Sequence, residues 1–270
     1  MLVVCMSAAV YLGVKGVQEL RDRKAGVDYY EQLGAQIGVP TEAERPAPDD
    51  MAEEIQDARE SETLLSDPDA QVVDVPRLQV DFESLKKTCP DVVGWIRIND
   101  ALIDYPVVQG KDNDYYLSHL PNGAVNSGGS IMMDTGCAAD FSSDVTILHG
   151  HHMKNGAMFG DLDEFKDPAY FEAHPVIELC TPEGGYEVQI FAAYTVNAHS
   201  FGYEANFGSE AEFDAYVQKA RNASPFAADV DVQYGDNLLL LSTCNYSFKN
   251  ARFIVIGKIV PVEELAAAQK

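Results

Sequence analysis

Hydrophobic and polar positions along this chain change texture near Val80. Beyond that point, apolar residues come in short runs broken by Gly, Pro, Asn and Asp. Val92-Val93-Gly94-Trp95-Ile96-Arg97-Ile98 alternates as a half-buried strand does. Ile103 to Gln109 predicts a second strand, with Pro106 marking an edge or a bend. Gly128 to Asp134 predicts a third with a glycine entry, and Val145 to Leu148 a fourth that runs into His149-Gly150-His151-His152. Val176–Leu179 and Tyr186–Val196 flank Glu183-Gly184-Gly185 as a hairpin. Asn237 to Tyr246 and Arg252 to Val260 close the pattern with two apolar runs of buried-strand length.

Helical signals are fewer. Asp81 to Lys87 carries a helix start and apolar spacing, Asp112–Leu117 reads as a turn entering a short helix, and Phe159–Phe171 as a short helix and turn. Ser209 to Asn222 is the strongest: Ser209 is the cap, Glu212 holds the capping-box position, and Phe213, Tyr216, Val217 and Ala220 share a face. Many short strands without β-α-β alternation predict a mainly β domain, a barrel or a sandwich with peripheral helices.

Upstream of Val80 the chain has other uses. Residues 1–14 (MLVVCMSAAVYLGV) are apolar and uncharged, shorter than the about 20 residues that cross a bilayer. They are read as a membrane anchor whose start lies upstream. Residues 15–39 read as a helical stalk with Val17, Leu20, Val27 and Leu33 as its apolar positions. Residues 40–79 read as an acidic disordered linker, because too few large apolar side chains are present to offset the cost of ordering. The expected organisation is therefore anchor, stalk, linker, a catalytic domain over 80–262 and a tail over 263–270.

Charge narrows the function. The formal net charge of −24 excludes a phosphate-backbone partner, which needs a basic face, so no nucleic acid is expected. Part of the excess is local: Thr41 to Val80 holds twelve acidic residues against three arginines. Five cysteines (Cys5, Cys89, Cys137, Cys180 and Cys244) show no C-x-x-C spacing, so neither a zinc ribbon nor a thioredoxin motif is present.

Three features carry chemistry: the histidine run 149–152, Cys244 and Arg252. A lone cysteine at a strand end is as readily an inert core thiol. A histidine on another strand would make it a nucleophile, the imidazole stabilising the thiolate and protonating the leaving amine. An arginine at the start of the next strand supplies a permanent cation for a thiolate or an oxyanion. The competing view of His149-Gly150-His151-His152 is a metal-hydrolase ligand run, but His174 and His199 sit in no supporting motif, and no metal or other cofactor is expected.

From about Val80 to Val260 the chain resembles class B sortases. The resemblance rests on Leu241-Ser242-Thr243-Cys244, on Gly150-His151-His152-Met153 and on Arg252. Around them, Val93-Gly94-Trp95-Ile96, Tyr105-Pro106-Val107-Val108-Gln109, Asp112-Asn113, Tyr116-Leu117, Gly129-Ser130-Ile131 and Met158-Phe159-Gly160 match in order. It implies a closed sortase-type β-barrel with N-terminal helices and one long peripheral helix at 209–222. It implies a cysteine transpeptidase in which Cys244 attacks the Thr carbonyl of a sorting motif in secreted proteins, His151 is the acid and base, and Arg252 stabilises the oxyanion or orients the substrate. Asn113, Leu117, His149, Ser242 and Thr243 would contact the substrate. The partners implied are a sorting-signal peptide, an amine from a peptidoglycan precursor or a pilin, and the membrane through a single-pass N-terminal anchor, with the catalytic domain extracytoplasmic. A hydrolytic cysteine peptidase on the same barrel and a catalytically silent sorting-peptide-binding module are the alternatives. The sequence departs from the family at His149, where Tyr is usual and a second imidazole becomes a rival base, at Asn245, which is acidic in some relatives, and at Met132-Met133.

Overall fold

A computed structural model describes residues 21–35, 78–99, 101 and 103–268. Within these, α1 (21–35) and α2 (Phe82–Thr88) precede the sheet. Strands β1 (Val92–Arg97), β2 (Asp104–Val108), β3 (Ile131–Met133) and β4 (Val145–Gly150) follow, then α3 (Pro168–Ala173) and the long hairpin β5 (Val176–Thr181) and β6 (Gly184–Asn197). α4 (Ala198–Phe201), α5 (Glu210–Ala223), β7 (Leu238–Asn245), β8 (Ala251–Pro261) and α6 (Val262–Ala268) complete the chain. The strands close into a barrel in the order β1-β2-β3-β4-β7-β8-β6-β5. Closure removes the open edges that would otherwise template aggregation.

The neighbours are antiparallel except β2 with β3 and β4 with β7. The β4–β7 pair matters most for function. Parallel strands need a long crossover, and here everything from His151 to Asn237 lies between the two. The register is unbroken from Val145↔Leu238 to Gly150↔Thr243. It is set by burial: Val145, Ile147 and Leu148 on one strand and Leu238 to Leu241 on the other are all enclosed. A one-residue slip would turn these side chains to the opposite face. Pro106 lies in β2 opposite Trp95 of β1, while the pairing of β2 with β3 begins only at Val107, so no ladder bond is lost on that side.

α5 forms as its sequence predicts. The Ser209 hydroxyl accepts from the Glu212 N–H, and the Glu212 carboxylate accepts from Gly208 N–H at 2.9 Å. Its buried residues are Phe213, Tyr216, Val217 and Ala220, packed on β6. Arg221 near its end donates to the carbonyls of Ala228 and Val230, which ties down the connection to β7.

The segment expected to stand away as a stalk is helical over 21–35, but it lies on the barrel. Tyr30 donates to the Gly129 carbonyl at 2.7 Å and packs edge-on against Tyr105. Leu33 joins Leu78, Phe82, Leu85, Trp95 and Cys180 in a second apolar cluster, so ordered packing already includes Leu78. Val27, counted as an apolar contact position, is exposed. Residues 263–268 of the expected tail belong to α6. The free cysteines Cys89, Cys137 and Cys180 are buried.

One expectation is corrected. Among the described residues no helix is long and apolar enough to cross a membrane, so the single-pass N-terminal anchor, and the cell-membrane localisation built on it, are not supported. Residues 1–14, where the anchor is placed, and residues 40–77 of the linker lie outside the described residues.

Gly150 is the tightest point in β4. A Cβ there would stand 2.6 Å from Ile131 Cδ1 and 2.6 Å from the Phe159 ring. Gly150→Ala is expected to lower stability by about 1–3 kcal/mol through overpacking, read as a lower denaturation midpoint in urea; an unchanged midpoint would mean that the barrel yields there freely.

Candidate active site

The site forms where three adjacent strands end together. The last rung of the β4–β7 ladder, Gly150↔Thr243, is reinforced by the Thr243 hydroxyl, which donates to the Gly150 carbonyl at 3.0 Å. The next residue on each strand is His151 and Cys244. Across the antiparallel β7–β8 pair, Cys244 is opposite Arg252. The backbone therefore brings His151, Cys244 and Arg252 to one end of the barrel, from chain segments about a hundred residues apart in the case of His151 and Cys244. Cys244 is half-buried, unlike the three enclosed cysteines, which leaves its sulfur approachable.

Each imidazole has its own partner. His151 Nε2 is 2.7 Å from the Leu117 carbonyl oxygen. A carbonyl only accepts, so Nε2 carries the proton and Nδ1 is the free basic nitrogen of the neutral ring. His149 Nε2 is 3.2 Å from Asp134 Oδ2, and its ring meets Tyr203 edge-on at 5.4 Å. His152 Nε2 is 3.0 Å from Asp163 Oδ2. Among the described residues no three His, Cys, Asp or Glu are grouped to hold a metal ion, and the three rings of the histidine run do not converge.

Arg252 is half-buried and donates to the Ala251 carbonyl at 3.1 Å. Among the described residues none of the ion pairs involves Arg252. Tyr203 sits between these groups. Its hydroxyl is 2.9 Å from Ser242 Oγ. Burial pushes its phenol up, opposed by the Ser242 hydrogen bond and by the nearby Arg252 guanidinium.

The other residues expected to contact substrate are placed variously. Leu117 has an exposed side chain and meets the site through its carbonyl. Asn113 donates to Asp134 Oδ2 at 2.9 Å and accepts from the Thr135 N–H, so its amide shapes the turn after β3. Ser242 and Thr243 are buried with their hydroxyls committed to Tyr203 and Gly150. Sequence reasoning missed Asp134 and Tyr203, in the connections after β3 and α4, and Asp163, on a 3-10 helix over Asp161–Lys166.

The Sortase domain family matches residues 96–260 of this chain. The chain belongs to the sortase family. It is 36% identical over 182 residues to Sortase B of Listeria monocytogenes, covering 67% of this chain and 74% of that protein. Among solved structures it is similar to sortase B from B. anthracis in complex with AAEK1, at 35% identity and a TM-score of 0.62, over 67% of this chain and 84% of that one. It also matches a Staphylococcus aureus sortase B–substrate complex at 28% identity and a TM-score of 0.64, over 79% and 94% of the two chains. This sortase is of class B and is a cysteine transpeptidase that sorts proteins to the cell wall. The expected closed barrel is the one observed.

The sortase's Asp134–His149 pair makes a stability prediction. The His149 hydrogen bond, with those of Gly136 N–H and Asn113, holds the Asp134 carboxyl down from 3.8 to about 2. A carboxyl depressed in the folded state stabilises the fold above its unfolded value and loses that contribution as pH falls through its folded value. Asp134→Asn is therefore expected to melt below the wild type at pH 6, the gap closing between about pH 4 and about pH 2. Melting curves of both proteins across that range check this, and a gap that does not change with pH contradicts it.

Proposed function

We propose that Cys244, His151 and Arg252 carry the transpeptidation. The Cys244 thiolate attacks the Thr carbonyl of a sorting motif, and Arg252 donates to the oxyanion that forms. His151 gives a proton to the departing amine as the peptide bond breaks, which leaves the Thr acyl group on the Cys244 sulfur as a thioester. An amine from a cell-wall precursor or a pilin lysine then attacks the thioester. His151 takes a proton from that nitrogen, and the thiolate leaves as the new amide forms. The observations that carry this reading are that His151 directly follows the last β4–β7 rung, Gly150↔Thr243, as Cys244 does on β7, that Cys244 is opposite Arg252 across β7–β8, and that the His151 Nε2–H is engaged by the Leu117 carbonyl. His149 is assigned to the substrate groove because its imidazole is held by Asp134.

Quenched-fluorescent sorting peptides test the assignment. Cys244→Ala is expected to be inactive, His151→Ala to lose about 10²–10⁴-fold, Arg252→Ala about 10²–10³-fold, and His149→Ala to keep measurable cleavage. Activity that survives in His151→Ala and vanishes in His149→Ala would exchange the two roles. Adding an amine acceptor is expected to convert hydrolysed product into an adduct; a product mixture unaffected by the amine would assign the barrel to a hydrolytic peptidase.

A further inference from the structure

Main-chain pairing stops one residue short of the chemistry. The β4–β7 ladder ends at Gly150↔Thr243, and beyond it the backbone of His152 pairs with Met158 instead. His151 therefore stands on a chain already turning away from β7. Behind the reacting groups, however, the next pair of residues is tied together. Asp163 Oδ2 accepts from His152 Nε2 at 3.0 Å, and Asp163 Oδ1 accepts from Asn245 Nδ2 at 2.9 Å. Asn245 is buried, and its own Oδ1 accepts from the Ser247 N–H at 2.9 Å, which shapes the turn between Cys244 and Arg252. Lys166 Nζ adds a 2.8 Å contact to the same carboxylate.

We infer that Asp163 is a positioning residue of the transpeptidation: its carboxylate clamps His152 to Asn245 and so sets the spacing of His151 and Cys244, where the strand ladder no longer does. The inference rests on the roles assigned above to Cys244 and His151. Three observations support it. Asp163 lies on a 3-10 helix, Asp161–Lys166, that is pinned by the buried Leu162 and Phe165, so the clamp is attached to a fixed base. Among the described residues the His152 Nδ1 is buried without a hydrogen-bond partner, so the polar hold on that ring is through Asp163 alone. The donors and the acceptor are also matched in kind. An amide N–H and an imidazole N–H meet a carboxylate, whereas an acidic residue at position 245 would meet Asp163 as a second anion.

This chemical matching provides the test. Asp163→Asn, Asn245→Asp, the double variant Asp163→Asn/Asn245→Asp, and His152→Phe are assayed for kcat and KM on a sorting peptide that the wild type cleaves, alongside Cys244→Ala. A displacement of about 1 Å in reacting groups costs up to about 10²-fold. Each single variant is expected to lose about ten- to a hundredfold in kcat with KM within about twofold. The double variant, which exchanges amide and carboxylate across the same contact, is expected to recover at least tenfold over Asn245→Asp. A residue that merely supports the fold would not show that reciprocal rescue. His152→Phe keeps the ring shape and removes the donor, so it decides the matter if Asn245→Asp does not fold. Wild-type kcat in the folded single variants, or a double variant no better than Asn245→Asp, overturns the clamp. If Cys244→Ala itself cleaves the peptide, the underlying assignment fails instead of the clamp.

Discussion

The function of this protein depends on the parallel pairing of β4 with β7. That pairing joins β4, which ends in His149-Gly150 just before His151, to β7, which ends in Thr243-Cys244-Asn245, across nearly a hundred residues of intervening chain. Bringing such distant segments together is costly in chain entropy. The compensation is hydrophobic. Val145 to Leu148 and Leu238 to Thr243 are enclosed, and the leucine run 238–241 has no solvent-facing position to make a slipped register tolerable. The same enclosure that stabilises the barrel thus fixes His149 opposite Ser242 and Gly150 opposite Thr243. The antiparallel β7–β8 pair then adds Arg252 at no further topological cost, because it lies across a short turn from Cys244.

At the strand ends the protein divides three histidines by their acceptors. A neutral carbonyl, that of Leu117, takes the Nε2–H of His151. A carboxylate takes the Nε2–H of His149 and another that of His152, and both carboxylates accept further donors. The departure from the family at His149 is thereby accommodated: the second imidazole arrives with Asp134 to hold it and Tyr203 packed on its edge.

Much of this was legible in the sequence where local patterning and burial agree. The strands of the barrel, the Ser209 cap and the four-residue face of α5 follow from periodicity and capping chemistry that act within one turn or one strand. Cys244 and Arg252 stood out in the sequence because they border strongly apolar runs, and the histidine run because it follows one. What escaped was carried by side chains whose role depends on distant partners. Tyr29 and Tyr30 dock α1 through hydroxyls that bond Cys89 and Gly129, and amphipathic rings of this kind do not count as an apolar stripe. Asp134, Asp163 and Tyr203 act only after the barrel closes, and nothing in their neighbours' sequence marks them. Asn113, Ser242 and Thr243 were placed near the site by resemblance, while their polar atoms turn out to hold the protein's own turns and strand ends.

The central claim is that Cys244 forms a covalent acyl intermediate at the mouth of β7. The most direct measurement is to mix the wild-type protein with a sorting peptide in the absence of an amine acceptor, quench in acid and map the modified residue by mass spectrometry. The account predicts the N-terminal part of the peptide, ending at its Thr, on Cys244, and its release as a hydroxamate by hydroxylamine. Peptide cleavage with no adduct, or an adduct on any other residue, would contradict it.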